Sequence, residues 1–205
     1  MVDVLEGLDE VDWGALRHAY GSAVDVPAHL RMLAFGDEAG QQEAFGELFS
    51  SVCHQGTVYP ASAAVFPFLY ELLECSGASL RSWIALLIAS MAEGETYLRV
   101  HASNEDGKET WRRILSGRGQ SLDAELAREA DEVAAVRAAA SRGLESLAPF
   151  LSDPEPELRR VISSALMFYP EHAEWSRGAL EAALERETDA DVRETMRLTL
   201  AAIPV

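Results

Sequence analysis

Three stretches of this chain align on one another, and that internal repetition constrains the fold more than any other feature. They are FPFLYELLECSGASLRSWIALLIASMA (66–92), LAPFLSDPEPELRRVISSALMFY (147–169) and LEAALERETDADVRETMRLTLAAI (180–203). Each reads as an apolar helix, then an acidic or small turn, then an apolar-Arg pair opening a second apolar helix. The pairs are Leu80-Arg81, Leu158-Arg159 and Val192-Arg193, the last two 34 residues apart (159 to 193). A helix pair of this size cannot bury its apolar face alone, so repeats at this period stack on their neighbours. The expectation is an all-α chain with helical content far above that of ordinary domains and no sheet.

The same period extends outward. VPAHLRMLAFGD (26–37) and QQEAFGELFSSVCH (41–54) make a first unit in which Gln41-Gln42 replaces the apolar-Arg pair, and a second unit opens at Pro60. An irregular unit covers 96–140, with its longer helix over 122–141 and its loop over 99–107, where Ser, Asn, Asp and Gly cluster. The last two units fill 141–205. Residues 11–20 of the 1–24 segment read as a short capping helix over repeats 1–2 (25–95).

With its apolar-Arg pairs after Asp-containing turns, and with Pro67 and Pro149 inside first helices, the chain resembles the HEAT repeat. The resemblance implies a right-handed α-α superhelix, a HEAT-like solenoid of about five helical hairpins, in one domain over 1–205. The pattern formed by Trp13, Tyr20, Gly21, Ala23, Asp25, Val26 and Pro27, together with 51–73, is similar to a group of uncharacterised HEAT-like proteins from actinobacteria. Arginine outnumbers lysine sixteen to one among the 17 basic residues, consistent with a GC-rich bacterial genome.

Charge narrows the function classes. The net charge is −17, and it is uneven: residues 1–56 carry ten acids and two bases, 57–120 seven and six, 121–205 seventeen and nine. Nucleic-acid binding draws on Lys and Arg at phosphates, so no nucleic-acid partner is expected. A basic protein partner would be attracted and steered. The longest apolar run, 83–92, is too short to cross a bilayer, and the acidic start lacks a basic leader region; no membrane association and a cytoplasmic location are expected.

Catalytic and cofactor motifs are absent: no HExxH, CxxC, phosphate-binding glycine loop or G-x-S-x-G elbow occurs, and no metal, cofactor or catalytic residue is expected. Cys53 and Cys75 read as buried small apolar residues, and the adjacency of Cys53 and His54 is a poor start for a nucleophile and base. Arg81, Arg159 and Arg193 recur at one place per unit, so one structural role, a bond to an Asp or carbonyl of a neighbouring unit, covers all three. His54, Gln55, Thr57 and Tyr59 sit at a bend that needs only Gly56 and Pro60. Their polar tips suit recognition, although His54 capping the preceding helix and Tyr59 packing its ring would serve structure alone.

These observations point to a non-enzymatic binding module or adaptor whose second helices line a concave face, an immunity-type protein against a basic partner being one form. The partner-binding candidates are Gln42, Glu43, Glu47, Ser50, Ser82, Arg160 and Ser164, with His54 and Tyr59 at one rim and Trp111 beside Arg112 and Arg113. For Trp111 core packing is the better reading, although Trp beside Arg is also interface chemistry. The alternative is a nucleic-acid enzyme of the architecture of HEAT-like alkylpurine DNA glycosylases, which need a basic channel that this charge does not supply. A chromophore chaperone resembling HEAT-like phycobilin lyases has no residue support.

Overall fold

The computed structural model describes residues 4–204 and is mostly helical. Ten α-helices are present among these residues: α1 (Val26–Phe35), α2 (Glu38–Val52), α3 (Pro60–Cys75), α4 (Ala78–Glu93), α5 (Tyr97–His101), α6 (Glu105–Ser116), α7 (Leu122–Arg142), α8 (Pro156–Ala165), α9 (Ala173–Leu184) and α10 (Ala190–Ala202). The boundaries follow local chemistry. Asp37, Asn104 and Asp189 each accept backbone N–H groups of the turn they open, and prolines stand in the first turns of α1, α3 and α8.

The helices pack in two rows. In one row α2 meets α4, α4 meets α8, and α8 meets α10. In the other, α3 meets α7, and a 3₁₀ segment, Leu144–Ser152, lies between α7 and α9. Pro149 explains the 3₁₀ form, since proline supplies no N–H and crowds the preceding turn of an α-helix. One apolar core runs the length of the packed rows, with Phe66, Leu69, Ile84, Leu87, Ile88, Leu158, Ile162, Tyr169 and Met196 almost wholly buried.

Several expectations need correction here. Residues 11–20 form no helix. A 3₁₀ turn at Leu8–Glu10 is followed by a two-stranded hairpin of β1 (Arg17–His18) and β2 (Gly21–Ser22). A second hairpin, β3 (Cys53–His54) with β4 (Thr57–Val58), joins α2 to α3. The expectation of no sheet therefore fails by two minimal ribbons. In the second, Gln55 and Gly56 take φ of 51° and 79°, and two positive φ values in a two-residue loop mark a type I′ turn. Gly56 thus serves the bend as the second residue of a hairpin turn.

The hairpins are themselves a repeat. The first precedes α1 and bonds the end of α2 through Ala19 N–H to the Ser51 carbonyl (3.0 Å). The second precedes α3 and bonds the single bridge residue Glu95 just after α4, Val58 N–H to Glu95 O and Glu95 N–H to Gly56 O (both 3.0 Å). Each ribbon ties the start of one helix pair to its end.

The irregular segment also differs from its expected form. The 99–107 loop shrinks to a short break between α5 and α6, and these helices pack on each other and on α7 over a small cluster of Leu98, Ala102, Leu115 and Leu122. No second-row helix comes from this segment, because α8 packs directly on α4. Cys75, expected in the core, is exposed at the end of α3.

Candidate functional site

Two regions collect the residues singled out by sequence. The first is the outward stripe of the α2–α4–α8 row. Along α2, Ala44, Leu48, Ser51 and Val52 face the core, which turns Gln42, Glu43 and Glu47 to solvent on the opposite side. Among the described residues no basic side chain lies within ion-pair distance of Glu38, Glu43 or Glu47. Phe45 stacks on Trp83 of α4 with ring centroids 5.6 Å apart and 25° between planes, and Leu86 on the next turn of α4 is exposed. Trp83 is half-buried against the core and bridges α2 and α4.

Other candidates in this row are already engaged. Ser50 Oγ donates to the Glu47 carbonyl (3.1 Å), Ser82 Oγ lies 3.5 Å from the Ala78 carbonyl, and Ser164 Oγ donates to the Val161 carbonyl (2.9 Å). Arg160 forms a two-point pair with Glu157 on its own helix. Trp111 is separate from the row: it packs on the small α5–α6–α7 cluster, edge-on to Tyr97 at 5.5 Å.

The second region joins the two hairpins. Tyr20, at the tip of the first, brings its hydroxyl within 3.2 Å of His54 Nδ1 on the second, and the rings meet edge to face at 5.4 Å. The same Nδ1 lies 3.0 Å from the Ser50 carbonyl at the end of α2. One ring nitrogen cannot accept from a hydroxyl and donate to a carbonyl together, so these bonds alternate with the imidazole tautomer. The Ser50 bond is the helix cap expected of His54.

His18 is fixed. Its Nδ1 accepts the Tyr20 N–H (3.0 Å), leaving Nε2 to donate to Asp25 (2.9 Å). Arg17 pairs with Glu132 of α7 (2.9 Å), anchoring the first hairpin to a helix 115 residues away. Tyr59 is half-buried beside this network, and burial holds its hydroxyl pKa above the usual value, with Cys53 and Tyr20 adding to the effect.

Chemically, the second region is a bonding network without a nucleophile. Cys53 is buried, and desolvation pushes its thiol pKa up to about 11, so no thiolate stands ready at neutral pH. No cluster of three or more His, Cys, Asp or Glu side chains fit to hold a metal occurs among the described residues. Sequence reasoning found His54 and Tyr59 but missed their partner Tyr20. The available signal was a His three residues before the closing turn residue in both places, His18 before Gly21 and His54 before Thr57, with Pro27 and Pro60 following the two histidines by nine and six residues.

Two of the recurrent arginines, Arg81 and Arg159, join separate units as expected, whereas Arg193 bonds only carbonyls of its own unit. Arg81 reaches Asp153 (3.1 Å) across 72 residues, and its guanidinium lies over the Phe150 ring. Arg159 clasps Glu187 through two bonds (2.6 and 2.9 Å) and also donates to the Asp153 carbonyl. Arg193 donates to the Leu184 and Glu187 carbonyls of the preceding turn.

No family model matches the chain, and no curated protein matches it. Among solved structures, an engineered protein from a structural genomics consortium is similar at 19% identity over 88% of this chain and 79% of its own, with a TM-score of 0.34.

Proposed function

We propose that this chain is a non-enzymatic protein-binding module, a right-handed HEAT-like α-solenoid whose second-helix row offers its concave face to a basic protein partner. The observation that carries the reading is the α2–α4 stripe, where Glu38 lines a groove with Trp83 beside the Phe45–Trp83 stack, Leu86 is exposed, and Glu43 and Glu47 stand on the other flank of α2, none of the three carboxylates paired with a basic side chain among the described residues. Apolar anchors provide residence time and the acidic surround provides encounter rate. Glu43, Glu47, Gln42 and Trp83 carry this role; the serines and Arg160, satisfied within their own helices, contribute shape. An immunity-type or adaptor role suits a chain of this charge. Arg81 and Arg159 spend their charge on carboxylates of the chain itself, which supports a protein partner over the phosphates of nucleic acid.

The test places a photo-crosslinking amino acid at Gln42 or at Ser82 and, as control, at Glu181 on α9, in cells of the native host. Capture of one basic protein from the first two positions alone is expected. Equal capture from all three would leave only diffuse attraction and defeat the reading.

A further inference from the structure

The outer face of α1 carries an apolar stripe that the described residues leave largely exposed, with only Met32 turned partly against Gly36 and Gly40. Ala28, Met32 and Phe35 recur at spacings of four and three, which places them in one line along the helix, and Val24 lies in the turn just before its cap. Val24, Met32 and Phe35 are 66%, 48% and 69% exposed, and Ala28 is exposed as well. The core-facing side of the same helix is complete without them, since Val26, Leu30 and Leu33 are wholly buried. Four solvent-facing apolar groups, three of them in line, on a charged protein are more than scattered surface residues.

The balance of charge around this stripe is acidic, since Arg31 on its flank is paired with Asp9. Asp25 stands at its start and Asp37 and Glu38 at its end, and Asp9 approaches its flank through Arg31 (2.5 Å). Residues 1–56 carry ten acids against two bases, a net of −8 (2 − 10). Both bases, Arg17 and Arg31, are already paired. A second copy laid on the stripe would bring like-charged surfaces together, which is unfavourable, whereas a cationic surface would neutralise them.

We infer that the outer face of α1 is a docking surface for a cationic amphipathic helix, whose apolar side lies along Val24, Ala28, Met32 and Phe35 and whose Lys or Arg residues meet the surrounding carboxylates. The helical part of the stripe, Ala28 to Phe35, is about 10 Å long, so it accommodates two turns of such a helix, with Val24 extending it at one end. This surface is distinct from the α2–α4 stripe, and either can fail without the other.

The probe is a helical peptide of about 18 residues with leucine on one face and lysine on the rest, against a scramble of the same composition without an apolar face. Binding to the full chain is followed by fluorescence anisotropy. The amphipathic peptide should bind about tenfold or more tightly than the scramble, and Val24→Ser/Phe35→Ser should remove that advantage while leaving the melting curve unchanged. Glu43→Arg/Glu47→Arg should weaken both peptides by one common factor. Equal binding of the two peptides, or an undiminished advantage in the Val24→Ser/Phe35→Ser protein, overturns the inference. A specific loss in the Glu43→Arg/Glu47→Arg protein alone would move the site to α2–α4. Sedimentation showing a native dimer that Val24→Ser/Phe35→Ser disperses would make a second copy the occupant and also overturn it.

Discussion

Replacing Glu187 by Gln removes one charge from the clasp between the last two helix pairs. Glu187 sits in the turn before α10, with its side chain 3% exposed, and receives two guanidinium bonds from Arg159 together with the N–H groups of Thr188 and Asp189 (2.8 Å each). The Arg159 bonds are the main cause of its depressed pKa, which falls from 4.5 to about 2, the turn N–H groups assisting. A carboxyl shifted that far contributes roughly 3 kcal/mol at neutral pH. Gln keeps an acceptor for the turn but turns an amide N–H₂ toward a guanidinium that cannot accept, and it leaves Arg159 uncompensated with its side chain only 12% exposed. For a chain of this length the loss corresponds to a melting point lower by about 6–12 °C at pH 7. The pH dependence has a definite sign. Because the folded pKa lies below the unfolded one, the contribution is fully present above about pH 4.5, more than half lost near pH 3, and gone below about pH 2. Circular-dichroism melts of both proteins from pH 7 to pH 2.5 measure it. A gap under about 2 °C at pH 7, or one that stays constant down to pH 2.5, would refute the assignment of that stability to the Arg159–Glu187 charge pair.

Three further outcomes follow from local geometry. A Cβ on Gly143 would stand 2.1 Å from the Tyr70 ring, so Gly143→Ala should cost about 1–3 kcal/mol, whereas Gly178→Ala, inside α9 with open space around it, should gain about 0.5–1 kcal/mol in urea melts. Gln55 holds a left-handed backbone conformation that Asn adopts more readily, so Gln55→Asn should raise the melting point slightly, by the equivalent of about 0.5 kcal/mol, and an unchanged or lower value would argue against the type I′ turn. Thiol titration of the native protein should show Cys75 reacting at once and Cys53 only on unfolding, and two fast thiols would contradict the burial of Cys53.

The candidate site was partly legible for a simple reason. Helical periodicity fixes which side chains share a face, so Gln42, Glu43 and Glu47 could be placed on the outward side of α2 from spacing alone. Spacing does not say which neighbour a polar tip will meet. Ser50, Ser82 and Ser164 therefore read as free hydroxyls, while in the fold each lies against a carbonyl of its own helix. Helix assignment likewise carries no information about which helices become neighbours: α5 and α6 form a side cluster on which Trp111 packs, and α4 lies beside α2, where Trp83 meets Phe45.

The sequence by itself determined helix content, the places of the apolar-Arg pairs and the sign of the surface charge. These rest on local periodicity, capping chemistry and composition, which act within a few residues of each position. Only tertiary structure decided that 11–20 is a hairpin, since two-residue strands depend on a partner such as the Ser51 carbonyl to hold Ala19. It likewise decided that α8 follows α4 in the second row and that Tyr20 meets His54 across 34 residues. Contacts of that range exist only once packing has closed the intervening chain, and no pattern along the chain encodes the closure.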